Sequence, residues 1–161
     1  MLSELLDRLA KPAEAAEARA RLMTSGAKED PRFFALYLAS HGLELDDAER
    51  LARAELAERP DIYSYEALAW VQSAKGEHGP ALENARRSLA EGTQDPRLYY
   101  HAGMIAQRAG DQRLARDWLA RAQAAAGVLL PSQRAQLTTL RTPIGERSTT
   151  TRSVTRKQGA P

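Results

Sequence analysis

A glycine that recurs at a fixed interval is the feature that most restricts how this chain can fold. Gly42, Gly76 and Gly110 are separated by 34 residues each. Tyr65 and Tyr99 keep the same 34-residue step. A fixed period of roughly 20 to 50 residues is typical of proteins that stack copies of one supersecondary unit. The sequence therefore predicts an array of similar units.

Each unit is predicted to contain two helices joined by a turn at the glycine, because apolar residues recur every three or four positions on both sides of it. In the third unit, Asp95 and Pro96 are a typical helix start, and Gly110 can adopt the left-handed conformation that ends a helix. Asp111 then caps a second helix, predicted from residue 112 to about residue 126. In the first unit, we place a single-residue insertion in the turn 42–47, so that Ala48 matches the later alanines.

Small residues at matching positions of the two helices predict close helix packing, because a bulky side chain there would force the pair apart. These residues are Ala35, Ala69 and Gly103 on the first helices and Ala48, Ala81 and Ala115 on the second.

The period and the order of residue types resemble the tetratricopeptide repeat. The third unit carries the resemblance through Tyr99, Ala102, Gly103, Ala106, Gly110, Asp111, Ala115, Leu119 and Ala122. The second unit carries it through Tyr65, Leu68, Ala69, Gly76, Glu77, Ala81, Ala85 and Leu89, with Gln72 in place of the usual tyrosine. The first matches through Phe34, Ala35, Leu38, Gly42, Ala48, Ala52, Leu56 and Pro60, with Pro31 in place of the leading aromatic.

Segments 51–70 and 95–104 are also similar to a bacterial group of these proteins. The resemblance covers about residues 28 to 126 and implies an all-α fold, an α-solenoid of about three helix-turn-helix pairs. We assign the repeats to 28–61, 62–95 and 96–129. The N-terminal segment 1–27, with helices over 2–11 and 13–24, is expected to cap the first unit, and the alternative for this segment is a degenerate repeat. A further capping helix is expected over 132–141, so that repeats and cap together span 28–141. The basic segment 142–161 is expected to be disordered because it has almost no apolar content from residue 144 onward.

Bulk composition gives little indication of nucleic-acid or membrane binding, because the chain carries a formal charge of only +2. Segment 142–161 alone carries a charge of +3, through Arg147, Arg152, Arg156 and Lys157 against Glu146, so the remaining residues together carry −1. The chain has no cysteine, and its N-terminus is interrupted by charges and lacks the apolar run of a signal peptide. We expect a cytoplasmic protein, unless the chain is a fragment of a longer secreted one.

A search for catalytic chemistry gives no candidate. His41, His78 and His101 do not have zinc-ligand spacing and are expected to be surface residues, and for His101 we expect a structural role. No glycine-rich loop follows a strand, because no strand is predicted. We therefore predict a protein that is not an enzyme and that needs no cofactor or metal.

In the tetratricopeptide fold the first helices line a concave groove, so the resemblance implies a surface for a peptide or helix of a partner protein. By that geometry we predict nine groove residues: Arg32, Leu36, Tyr63, Glu66, Trp70, Arg97, Tyr100, Met104 and Arg108. The alternative for Trp70 and Tyr100 is that they are partly buried packing residues, as helix aromatics usually are.

The prediction from these observations is a protein-binding or scaffold module whose arginines favour a partially acidic ligand. Family members that clamp a partner's C-terminal carboxylate use lysines and asparagines at set places. Those places hold Arg32, Leu36, Ala67, Arg97 and His101 here, which argues against a clamp of that type. The alternative is an assembly module whose basic C-terminal tail contacts nucleic acid or an acidic surface, although four charges give only weak, salt-sensitive attachment.

Overall fold

The computed structural model describes Leu9 and residues 11–141, and within these residues every regular element is helical. The predicted tail 142–161 lies outside the described residues, and so does most of the predicted helix 2–11. The elements in chain order are α1 (Pro12–Glu29), α2 (Pro31–His41), α3 (Leu45–Glu58), α4 (Ile62–Ala74), α5 (His78–Ser88), α6 (Pro96–Arg108), α7 (Gln112–Ala124), a short 3-10 turn (Ala126–Val128) and α8 (Pro131–Arg141).

The three repeated glycines follow α2, α4 and α6 and share one backbone geometry. Gly42, Gly76 and Gly110 have φ of 66°, 82° and 83°, in the left-handed region that favours glycine. The amide after each glycine donates to the carbonyl five residues earlier, as from Asp111 to Ala106 at 3.0 Å. This hydrogen bond satisfies a carbonyl that the helix end would otherwise leave unpaired. The prediction that a left-handed glycine ends the helix is confirmed.

The first of these turns is one residue longer than the other two, as the sequence predicts. Helix α3 begins three residues after Gly42, whereas α5 and α7 begin two residues after their glycines. The additional residue leaves Glu44 with a φ of 41°, which is uncommon for a residue with a side chain. The shift brings Ala48 into the position of Ala81 and Ala115, and all three alanines are buried.

Aspartates precede helices α2, α4 and α6, which correspond to the predicted first helices. Asp30 accepts from the amide of Phe33 at 2.8 Å, and Asp95 accepts from the amide of Arg97 at 2.9 Å. Asp61 accepts from two amides, those of Tyr63 and Ser64, both at 2.9 Å. Each bond satisfies an amide that has no partner inside the helix, which is why the helices begin where they do.

We expect Asp61→Ala to lower the free energy of unfolding by about 1 to 2 kcal/mol, because it leaves two amides of α4 without their acceptor. Asp61→Asn keeps a side-chain oxygen at the same place and is expected to cost less than half as much. Urea unfolding followed by circular dichroism measures both variants. Equal losses for the two would contradict the capping role and indicate that the charge of Asp61 is what matters.

Packing follows the order of the chain. Each helix from α1 to α6 contacts the next one, and α2, α4 and α6 also contact one another in sequence. Gly103 allows the closest approach, since a Cβ at this position would lie 2.6 Å from the side chain of Leu119 and 3.1 Å from its backbone nitrogen. The predicted close packing at Gly103 is confirmed.

The flanking helices differ in how well the sequence predicts them. Helix α8 matches the predicted 132–141 and buries Leu137. Helix α1 continues five residues beyond the predicted end at residue 24, through Glu29. Gly26 lies inside this helix because its missing side chain makes room for Phe34, to which a Cβ would approach within 2.7 Å.

Candidate functional site

Helices α2, α4 and α6 meet around the indole of Trp70. Its Nε1 donates to Ser40 Oγ of α2 at 2.9 Å, and its ring stacks on His101 of α6 with the centroids 4.3 Å apart. The guanidinium of Arg108, also on α6, lies 4.7 Å from the centre of the same indole. One side chain of α4 thus joins α2 and α6. We call Ser40, Glu66, Trp70, Ser73, His101 and Arg108 the Trp70 cluster.

His101 is held at both ring nitrogens. Its Nδ1 lies 2.6 Å from Glu66 Oε1, and its Nε2 lies 3.4 Å from the amide nitrogen of Gln133. The oxygen of Gln133 accepts from the backbone amide of Leu130, which directs the amide nitrogen toward the histidine. The neutral tautomer with its proton on Nδ1 satisfies both contacts, because it donates to the carboxylate and accepts from the amide. His101 therefore connects α4, α6 and α8.

Arg108, like Ser40, is exposed, and it is the charged member of the cluster that reaches the surface. It donates to Ser73 Oγ at 3.3 Å and has no ion-pair partner among residues 11–141. Burial against neighbouring groups lowers the pKa of Arg108, while Tyr100 opposes the shift. The charge is thus partly desolvated and is balanced only by the face of an aromatic ring.

The starts of the same helices carry a second arginine on an aromatic ring. Arg32 of α2 lies 5.3 Å from the ring centre of Tyr63 on α4, and both side chains are half-buried. Arg97 of α6 is instead paired with Asp95, at 2.6 Å. Burial raises the pKa of Asp95, but hydrogen bonds from the side chain and backbone of Arg97 outweigh it, so the pKa lies below its usual value.

Comparison of the chain with protein-family models, with curated proteins and with solved structures finds no match. The site is therefore interpreted from its own residues. Within residues 11–141, no helix is long and apolar enough to cross a membrane. The same part of the chain holds no group of three or more histidine and carboxylate side chains placed to bind a metal ion.

Four of the nine predicted groove residues are buried. Glu66, Trp70, Tyr100 and Met104 expose between 3% and 6% of their surface. Trp70 packs between α2 and α6, and the Tyr100 hydroxyl donates to Gln136 of α8. The expectation that these side chains are open to a partner is wrong, and Trp70 and Tyr100 are packing residues. Arg32, Leu36, Tyr63, Arg97 and Arg108 are exposed or half-buried.

His101 is a second correction, because its side chain is only 11% exposed and the expectation of a surface histidine fails for it. Its predicted structural role fits the contacts with Glu66 and Gln133. Sequence reasoning also missed Ser40, Ser73, Gln133 and Gln136. Their partners lie 30 to 36 residues away, which is about one repeat. Pairing polar residues at that separation along the first helices would have found these contacts.

Proposed function

We propose that the chain is an α-solenoid of tetratricopeptide-like helix pairs and that it binds a peptide segment or helix of another protein along its first helices. Three repeated turns of one geometry support the repeat assignment, as does the contact of each first helix with the next. Units of this kind bury their apolar faces against neighbours and leave one long side of the array for ligands.

The observation that carries the proposal is the set of open side chains on α2, α4 and α6. Arg32 lies on the ring of Tyr63 and Arg108 lies on the ring of Trp70, and neither arginine has a carboxylate partner among residues 11–141. The carboxylate of Glu66, by contrast, is buried and occupied by His101. Arginine and tyrosine are enriched where proteins bind one another, because they combine contact area with directed hydrogen bonds. The open charge on these helices is positive, which favours a ligand with acidic residues.

A library of random 12-residue peptides displayed on phage provides a direct test with the full chain as bait. Selected peptides would be synthesised and their Kd measured by fluorescence polarisation. We expect Arg32→Ala combined with Tyr63→Ala to raise the Kd of the peptides about ten-fold or more, since truncating a central contact residue typically costs more than about 1 kcal/mol of binding free energy.

The chain offers a matched control in a second arginine that lies on a tyrosine ring. The guanidinium of Arg87 on α5 lies 5.6 Å from the ring centre of Tyr65 on α4. Arg87→Ala combined with Tyr65→Ala removes the same atoms away from the proposed surface and is expected to leave the Kd within about two-fold. Thermal unfolding of both double variants checks that each is folded. A library without binders, or a control pair that weakens binding as much as the Arg32 and Tyr63 pair, would refute the proposal.

A further inference from the structure

The starts and the C-terminal ends of α2, α4 and α6 differ in the partners of their arginine side chains. At the starts of these helices, Arg97 is neutralised by Asp95. At the opposite ends, Arg108 has Ser73 as its hydrogen-bond acceptor and no carboxylate partner among residues 11–141. A guanidinium has five N–H donors, so most of the hydrogen-bonding capacity of Arg108 is unused by this part of the chain.

The position of the guanidinium is fixed by its surroundings. Contact with the indole of Trp70 and the bond to Ser73 hold it from α4, and Trp70 is in turn held by Ser40 and His101. Ser40, an exposed residue, borders the same indole at its Nε1 edge, and its hydroxyl accepts from Nε1 and donates to the backbone carbonyl of Leu36 at 2.7 Å. A fixed and partly desolvated arginine binds an anion more strongly than a freely moving one, because less side-chain entropy is lost and water screens the charge less.

We infer that Arg108, supported on Trp70 and bordered by Ser40, forms a subsite for the carboxylate of an aspartate or glutamate side chain in the bound segment. This inference rests on the proposed function, whose surface it extends to the C-terminal ends of the first helices. A single guanidinium matches a carboxylate of one negative charge, and two parallel N–H groups can bind both oxygens. Phosphorylated residues carry more charge and are generally bound by clusters of arginines, which these helix ends lack within the described residues.

The first test needs no peptide partner. The full chain, labelled with ¹⁵N, is titrated with N-acetyl-glutamate α-amide, which carries the glutamate carboxylate alone. We expect saturable shifts of the Arg108 Nε–H and Trp70 indole signals, with Trp118 as an internal reference on α7. N-acetyl-glutamine α-amide, which has the same shape without the charge, should cause none. Arg108→Ala should abolish the shift at Trp70, whereas Arg116→Ala, which removes one exposed charge from α7, should preserve it.

The second test uses the peptides selected against the full chain. Each acidic residue of a peptide is replaced by its amide, and the Kd is measured with the unsubstituted chain and with Arg108→Ala. We expect one acidic position at which the amide weakens binding about ten-fold to the unsubstituted chain but has no effect on the variant. Arg108→Lys should keep only part of the coupling between this acidic residue and position 108, because lysine cannot bind both carboxylate oxygens in one plane.

The outcomes separate the subsite from the proposed function. Peptides that depend on Arg32 and Tyr63 but show no acidic position coupled to Arg108 would overturn the subsite and leave the binding module standing. Stronger saturation of the Arg108 signal by inorganic phosphate than by the glutamate derivative would overturn the assignment to a carboxylate. A library without any binder, together with no response to the glutamate derivative, would overturn both proposals.

Discussion

Gly103→Leu is expected to lower the free energy of unfolding by about 3 kcal/mol, the upper end of the usual range for overpacking. The first atom of the new side chain would lie 2.6 Å from two carbons of Leu119 and 3.1 Å from its backbone nitrogen. The side chain of Leu119 can rotate away, but its backbone is part of α7 and moves only if the whole helix moves. Helix α6 must therefore separate from α7, and the apolar contacts along both helices weaken together.

For a chain of this size we expect the melting temperature to fall by roughly 10 °C, as measured by differential scanning calorimetry. Gly79→Leu is the matched control, because Gly79 is also helical and a Cβ there meets nothing within 4 Å. This control should melt at or slightly above the temperature of the unsubstituted chain, since leucine favours helix more than glycine does. A similar loss in both variants would indicate a general effect of leucine and would contradict close packing at Gly103.

Helices, turns and caps could be predicted from the sequence because they depend on a few neighbouring residues. A glycine with positive φ and an aspartate before a helix act over one turn, so Asp95, Gly110 and Asp111 indicate their roles directly. The end of α1 could not be predicted in this way. Gly26 would end a helix by its local preference, but it remains inside α1 because Phe34 occupies the space of its missing side chain.

The burial of the candidate site could not be predicted from the period alone. Helix α4 contacts four neighbours: α3 and α5, which adjoin it in the chain, and α2 and α6 beyond them. The repeat pattern specifies the side toward the second helix, through residues such as Gly103, but it does not show how much of the remaining surface neighbouring first helices cover. Trp70 lies on that covered part, whereas Arg32, near the start of α2, is only partly buried.

Trp70→Ala is expected to lower the free energy of unfolding by about 3 to 5 kcal/mol, the usual range for removing a buried tryptophan. The loss includes the hydrogen bond to Ser40, the stacking on His101 and the contact with Arg108, so both neighbouring first helices lose a partner. Trp70→Phe keeps an aromatic ring and loses the Nε1 donor. Its expected cost in free energy is smaller, because one hydrogen bond contributes about 1 kcal/mol and the phenyl ring keeps much of the buried aromatic surface.

Trp118→Ala is the control for the loss of an indole, because Trp118 lies on α7 and is only partly buried. We expect it to cost less than half as much as Trp70→Ala in urea unfolding followed by circular dichroism. Equal effects for the two tryptophans would contradict the role of Trp70 in joining α2, α4 and α6.

The size of the expected effect also decides how the binding surface can be studied: a loss of partner binding in Trp70→Ala would follow from weakened helix packing. Open residues such as Tyr63 and Arg108 are therefore the positions at which binding can be tested without unfolding the protein.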